Sequence, residues 1–120
     1  MSNLRRLWFA LFPPPEVRLA RAIERILNRH AEDAQEKLKE SWYWGPVGGD
    51  VFTAMRQAGF AIDRVEHRAD LDSYLAGVEH ALAEAHEEYR RNEFDEGGYG
   101  SATFHAIRRD IKLLRERRRL

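Results

Sequence analysis

The chain contains no cysteine, and that single absence removes disulfides, thiolate metal sites and a cysteine nucleophile together. Lysine is nearly missing as well: only Lys37, Lys39 and Lys112 stand among the 20 basic residues. Such an arginine bias suggests a GC-rich coding sequence, and so a bacterial or phage source. Long apolar runs are also missing. The longest, Leu7 to Phe12, is followed by prolines and falls far short of the roughly 20 residues that span a bilayer. It carries no small-residue cleavage site either, so the expected location is cytoplasmic. Net charge is absent too, since 20 basic residues balance 20 acidic ones.

That zero sum hides a segregated pattern. Between Glu66 and Glu96 ten acids face only Arg68, Arg90 and Arg91, whereas from Gly97 to Leu120 seven bases face Asp110 and Glu116. Both stretches have helical spacing and are separated by glycines, so the simplest fold lays the basic helix back along the acidic one and satisfies much of the charge internally. At 120 residues, with 43% hydrophobic and 33% charged residues, the chain has the size and composition of one soluble domain, residues 1–120, able to bury a core without staples.

Helical periodicity carries most of the fold. Leu4, Leu7, Trp8 and Leu11 share one helical face with Arg5 and Arg6 off it, although so short a run reads equally as a buried strand. Pro13, Pro14 and Pro15 stop it, and Pro15 suits the first turn of a helix because its missing N–H costs nothing there. Leu19, Ile23, Ile26, Leu27, Ala34 and Leu38 then predict a long helix from Glu16 to about Glu40. The aromatics Trp42, Tyr43 and Trp44 run into Gly45, Pro46, Gly48 and Gly49, a predicted break. Asp50 as N-cap and Gly59 as terminator frame a two-turn helix around Val51, Phe52 and Met55. Asp70 or Asp72 caps the next helix, whose seam is Leu71, Leu75, Val78, Leu82, Ala85 and Tyr89. After Gly97, Gly98 and Gly100, with Ser101 or Thr103 as cap, Phe104, Ile107, Ile111 and Leu114 repeat that register.

Two matched seams about a short turn predict an antiparallel helical hairpin. The predicted fold is all-α: an irregular helical bundle with a long first helix and a C-terminal antiparallel hairpin. The alternative is α+β, with Leu7 to Phe12 and Phe60 to Val65 forming a small two-stranded sheet. In the hairpin, Glu84, Glu87 and Glu88 are expected to oppose Arg108, Arg109 and Lys112.

No residue pattern names a chemistry. His80 and Glu84 are spaced four apart, as metal ligands are, but face away from the apolar seam, so a solvated pair is expected and no metal site. His86 and His105 flank the seam and are placed to meet near the hairpin turn. The segment from Gly45 to Asp50 has the outline of a phosphate loop but lacks its Lys and Ser/Thr, and Asp50 puts a negative charge where a phosphate would go. The run from Asn92 to Gly97 lacks the alternating ligands of a calcium loop. No cofactor is expected.

One short stretch, Arg6-Leu-Trp-Phe-Ala-Leu-Phe-Pro-Pro-Pro-Glu-Val-Arg18, resembles the first strand and turn of the RNA 2',3'-cyclic phosphodiesterase (2'-5' RNA ligase-like) family. The resemblance implies catalysis by two His-x-Thr/Ser motifs. Here His30, His67, His80, His86 and His105 are followed two residues on by Glu32, Ala69, Leu82, Glu88 and Ile107, so neither motif is present and no catalytic residue carries over.

The expected function is therefore non-enzymatic: a protein–protein interaction module, an adaptor, inhibitor or assembly subunit, with Trp42, Tyr43 and Trp44 as the contact surface toward another protein or a second copy. The alternative is a nucleic-acid-binding helical protein that uses Arg108, Arg109, Lys112, Arg115, Arg117, Arg118 and Arg119 on phosphates.

Overall fold

A computed structural model describes residues 14–40, 45–66, 70–92 and 99–119, with 37–40, 45–50 and 119 described by backbone alone. Four helices make up nearly all of these residues: α1 (Pro15–Glu40), α2 (Gly45–Asp63), α3 (Leu71–Asn92) and α4 (Tyr99–Arg119). Among the described residues there is no strand, so the all-α bundle stands and the α+β alternative does not. Residues 60–63, half of the proposed sheet, continue α2. The other half, residues 7–12, lies outside the described residues. No helix among them is long and apolar enough to cross a membrane.

The largest departure from the sequence reading is α2. It starts at Gly45 and runs through Gly59 to Asp63, so 45–50 is the first turn and a half of a helix instead of a break, and Asp50 lies inside it. Pro46 is compatible with this because a first-turn residue has no intrahelical hydrogen bond to lose. The cost of the glycines is offset by packing. Val51, Ala54, Ala58, Ala61 and Ile62 are all buried, and the small alanines let α2 lie close against α3 and α4, its main partners. The helix ends where the amides of Arg64 and Val65 donate to the carbonyls of Phe60 and Ile62.

The predicted hairpin is present. Leu75, Val78, Leu82, Ala85 and Tyr89 of α3 and Phe104, Ile107 and Ile111 of α4 all belong to one core cluster with Leu19 and Ile23 of α1. Its register follows from three contacts spread along its length. Tyr89 lies where a side chain at Gly100 would project, His86 stacks on Phe104 with ring centroids 5.1 Å apart, and Arg115 reaches Asp72 and Glu79. Such a course is antiparallel. The N-terminal cap of α3 is Asp70: its carboxylate accepts from the Asp72 amide at 3.1 Å and the Ser73 hydroxyl at 2.6 Å. These hydrogen bonds, Ser73's first, hold the Asp70 carboxyl below the usual range. At α4 neither predicted cap serves. The helix begins at Tyr99, Ser101 is buried within it, and the Thr103 hydroxyl donates back to the Tyr99 carbonyl at 2.8 Å.

Candidate functional site

Helix α1 supplies a surface that the sequence reading passed over. Arg18, Arg21, Arg25 and Arg29 recur at spacings of three and four, so they form one stripe on the helix, and all four are exposed. Helix α4 lies antiparallel beside it. Asp110 meets Arg29 and His30 in the middle, Leu113, Leu114 and Arg117 face Ala22, Arg25 and Ile26 toward the start of α1, and Ala102 and Thr103 face Asp33 and Ala34 toward its end. Between the two helices runs a groove of about 560 Å³. Its floor is Ala22, Ile26, Leu113 and Leu114 and its rim is Arg25, Arg29 and Arg117. Leu113 is 44% exposed although it is a large apolar residue. The groove thus combines four apolar side chains with three arginines, and Asp110 is the one acid in its lining.

Asp110 fixes this geometry. Its carboxylate takes hydrogen bonds from Arg29 and, at 2.8 Å, shares one with His30 Nε2, and both the His30 and the Asp110 side chains are only 12% exposed. Burial pushes the Asp110 carboxyl up, but the hydrogen bonds from His30 and Arg29 outweigh it and leave its pKa below the usual value. Asp110 also neutralises Arg29, so the rim charge that no carboxylate among the described residues pairs rests on Arg25 and Arg117. A His–Asp pair of this kind resembles the orienting half of a catalytic triad. Two hydroxyl-bearing residues line the neighbouring cavity with His30: Thr103, whose hydroxyl donates to the Tyr99 carbonyl, and Tyr99, whose phenol is a poor nucleophile. The pair reads as a clasp between α1 and α4.

The second polar cluster sits near the hairpin turn. His86 is 3% exposed, stacks on Phe104 and meets His105 edge-on with centroids 4.6 Å apart. Arg108 approaches its Nδ1 at 3.4 Å, and its Nε2 is buried with no hydrogen-bond partner among the described residues. Burial first, then the neighbouring His105 and Arg108, push its pKa below the ordinary histidine value. His86 and His105 therefore do meet, as their flanking positions implied. No group of three or more metal-ligating side chains occurs among the described residues.

The predicted site residues divide. Trp42, Tyr43 and Trp44 lie outside the described residues, as does the side chain of Arg119. Arg115 is engaged inside the hairpin, its Nε 3.1 Å from Asp72 and its Nη1 2.7 Å from Glu79. Arg108 turns toward His86. Arg109, Lys112, Arg117 and Arg118 are exposed, and of these Arg117 joins the α1 groove. The expected pairing of Glu84, Glu87 and Glu88 with Arg108, Arg109 and Lys112 is not among the ion pairs of the described residues. Glu84 instead pairs with His80 on its own helix at 3.0 Å, both side chains being well exposed, and the cross-hairpin charge contact falls at the opposite end, on Arg115. The physical reason is rotation: Glu84, Glu87 and Glu88 face solvent beside Ala83 and Arg91, while Asp72 and Glu79 share the face nearer α4. Comparison with known proteins finds no matching family model, no matching curated protein and no matching solved structure.

Proposed function

We propose that the protein is a non-enzymatic protein-interaction module whose contact surface is the groove between α1 and α4, and that its partner presents a helix with an apolar ridge flanked by carboxylates. The observation that carries this reading is the pairing of an apolar floor, Leu113 exposed and Ile26 half-buried, with the cationic rim of Arg25, Arg29 and Arg117. An amphipathic helix laid in a groove supplies both the apolar anchors and the opposite charges such a surface takes. Electrostatic complementarity at the rim sets orientation and association rate more than affinity. Capture of proteins from source cells with wild-type bait and with an Arg25→Glu/Arg117→Glu bait tests it. The expected result is a partner held by the wild type through an acidic segment, mapped by cross-linking, and lost from a variant that melts like the wild type. Equal capture by both baits refutes the proposal.

A nucleic-acid reading has one observation in its favour. Arg18, Arg21 and Arg25 make no ion pair with any carboxylate among the described residues, so the stripe offers charge that is not already spent. From Arg18 to Arg29 it extends about 16 Å along the helix. Phosphate contact predicts binding to nonspecific duplex that falls steeply with salt, whereas the interaction-module reading predicts no measurable duplex binding at about 0.15 M salt. The apolar floor favours the protein partner, because a phosphodiester backbone brings no apolar group to cover Leu113.

A further inference from the structure

The opposite side of α1 carries a groove of contrary charge. Val17, Ala20, Glu24 and Leu27 follow at spacings of three and four on one stripe. Beside them Ala20, Ile23, Glu24, Leu27, Ile62, Asp63 and Tyr74 line a cavity of about 360 Å³ between α1, the end of α2 and the start of α3. Apolar side chains of the same two helices are left uncovered: Val17, on that stripe of α1, is 39% exposed, and Phe60, three residues before Asp63 on α2, is 60% exposed. The two carboxylates of the lining, Glu24 and Asp63, are both exposed, and no lysine, arginine or histidine stands among the lining residues. Neither takes part in an ion pair among the described residues.

We infer that residues 4–12 of the same chain are the occupant of this groove. They supply its complement, since Leu4, Leu7, Trp8 and Leu11 are apolar and Arg5 and Arg6 are cationic. The same charges are repelled by the arginine rim of the α1/α4 groove, so electrostatics sorts the segment to the acidic side of α1. Position favours it too. Pro14 stands at the start of α1, where its carbonyl accepts from the Arg18 amide at 3.1 Å, and Glu24 lies only about 15 Å further along the helix. Twelve residues of chain reach up to about 40 Å. A segment tethered so closely binds at a high effective concentration, so modest complementarity suffices. The apolar N-terminal run is then a strap over α1 and α2, not a membrane anchor. This inference concerns a different face from the proposed partner groove and does not depend on it.

The cysteine-free chain allows a direct test. A nitroxide attached to Asn3→Cys in the full-length, methyl-labelled protein broadens the resonances of residues near the segment. Docking predicts broadening of Val17, Leu27 and Ile62 with Leu113 and Leu114 spared. It further predicts release in the Arg5→Glu/Arg6→Glu variant and recovery when Glu24→Arg and Asp63→Arg are added. Broadening centred on Leu113 and Leu114 overturns the assignment, as does absence of broadening at either groove. Broadening seen only between copies, in a mixture of nitroxide-bearing and methyl-labelled chains, also overturns it by making the occupant a second molecule. The wild-type pattern decides the question even where a charge-reversed variant fails to fold.

Discussion

Three glycines in helices give the sharpest test of the packing, because the same substitution by alanine is expected to change stability in different ways at each. At Gly100 an added Cβ would stand 2.5 Å from Cζ and 2.9 Å from Cε1 of Tyr89, with the hydroxyl oxygen closer still. Ordinary carbon contacts begin near 3.5 Å, so the ring has to move by about an ångström. Tyr89 has nowhere to go: it is 2% exposed and its ring lies 5.7 Å from that of Phe104. Overpacking of this kind costs about 1–3 kcal/mol, and the helix-propensity gain of alanine over glycine recovers at most about 1 kcal/mol. Gly100→Ala is thus expected to destabilise by about 1–2 kcal/mol. At Gly77 the new methyl meets Val65 Cγ1 at 3.1 Å, a side-chain tip that yields by a few tenths of an ångström, so the effect lies near zero. At Gly59 nothing lies within 4 Å and the helix continues beyond it, so Gly59→Ala is expected to stabilise by about 0.5–1 kcal/mol. Urea denaturation followed by circular dichroism measures all three. A stabilising Gly100→Ala breaks the hairpin register argued above, and a destabilising Gly59→Ala means that α2 ends there after all.

Leu82 and Ile111 are fully buried in facing seams, and truncating either to alanine is expected to cost about 2–5 kcal/mol in the same assay; losses below about half a kcal/mol at both would contradict the core. Burial holds the folded-state pKa of His86 below the ordinary histidine value, so below about pH 6.5 the unfolded chain takes up the proton first. Stability then falls with pH by at most about 1.4 kcal/mol per unit, and His86→Leu is expected to flatten that slope; an unchanged slope in the variant would assign it elsewhere. Asp110 has the usual depressed carboxylate, so its contribution is complete above the unfolded value and is lost as pH falls through the folded one. Asp110→Ala is expected to cost about 1–3 kcal/mol at neutral pH, with a difference from wild type that shrinks toward pH 3, as thermal melts across pH would show.

The fold was legible where periodicity is strong. Seams of six and four residues at intervals of three and four placed α3 and α4 and set their matched register, and the choice of Asp70 or Asp72 as cap resolves to Asp70, whereas the caps read at Asp50 and at Ser101 or Thr103 do not serve. What misled was local chemistry overridden by packing. Gly45, Pro46, Gly48, Gly49 and Gly59 all argue against helix by propensity, yet Ala54, Ala58 and Ala61 bury so completely against two neighbours that the helix extends through them. Gly100 misled in the other direction. It reads as a turn residue, but it is a helical residue that is glycine because the Tyr89 ring needs the space.

The candidate site was less legible, for a reason that lies in how charge was tallied. Summed along the sequence, charge segregates between residues 66–96 and 97–120, which suggests that the two helices neutralise each other. Summed by helix face, it divides differently. The basic face of α4 splits, with Arg115 turned to Asp72 and Glu79 and Arg117 turned to α1, where Arg18, Arg21 and Arg25 add charge that no carboxylate among the described residues pairs. The spacing of those arginines was readable, since an i, i+3, i+7, i+11 repeat of one residue type on a helix is as periodic as any apolar seam. The groove they rim was not, because it exists only where a second helix brings Leu113 and Leu114 alongside Ile26. Asp110 is the residue that makes this a defined surface: one of two acids in a basic helix, placed to receive Arg29 and His30. Losing it removes the polar clasp between α1 and α4 while Leu19 and Ile23 still hold α1 in the core, so the rim arginines are the informative positions for binding and Asp110 is the informative position for stability.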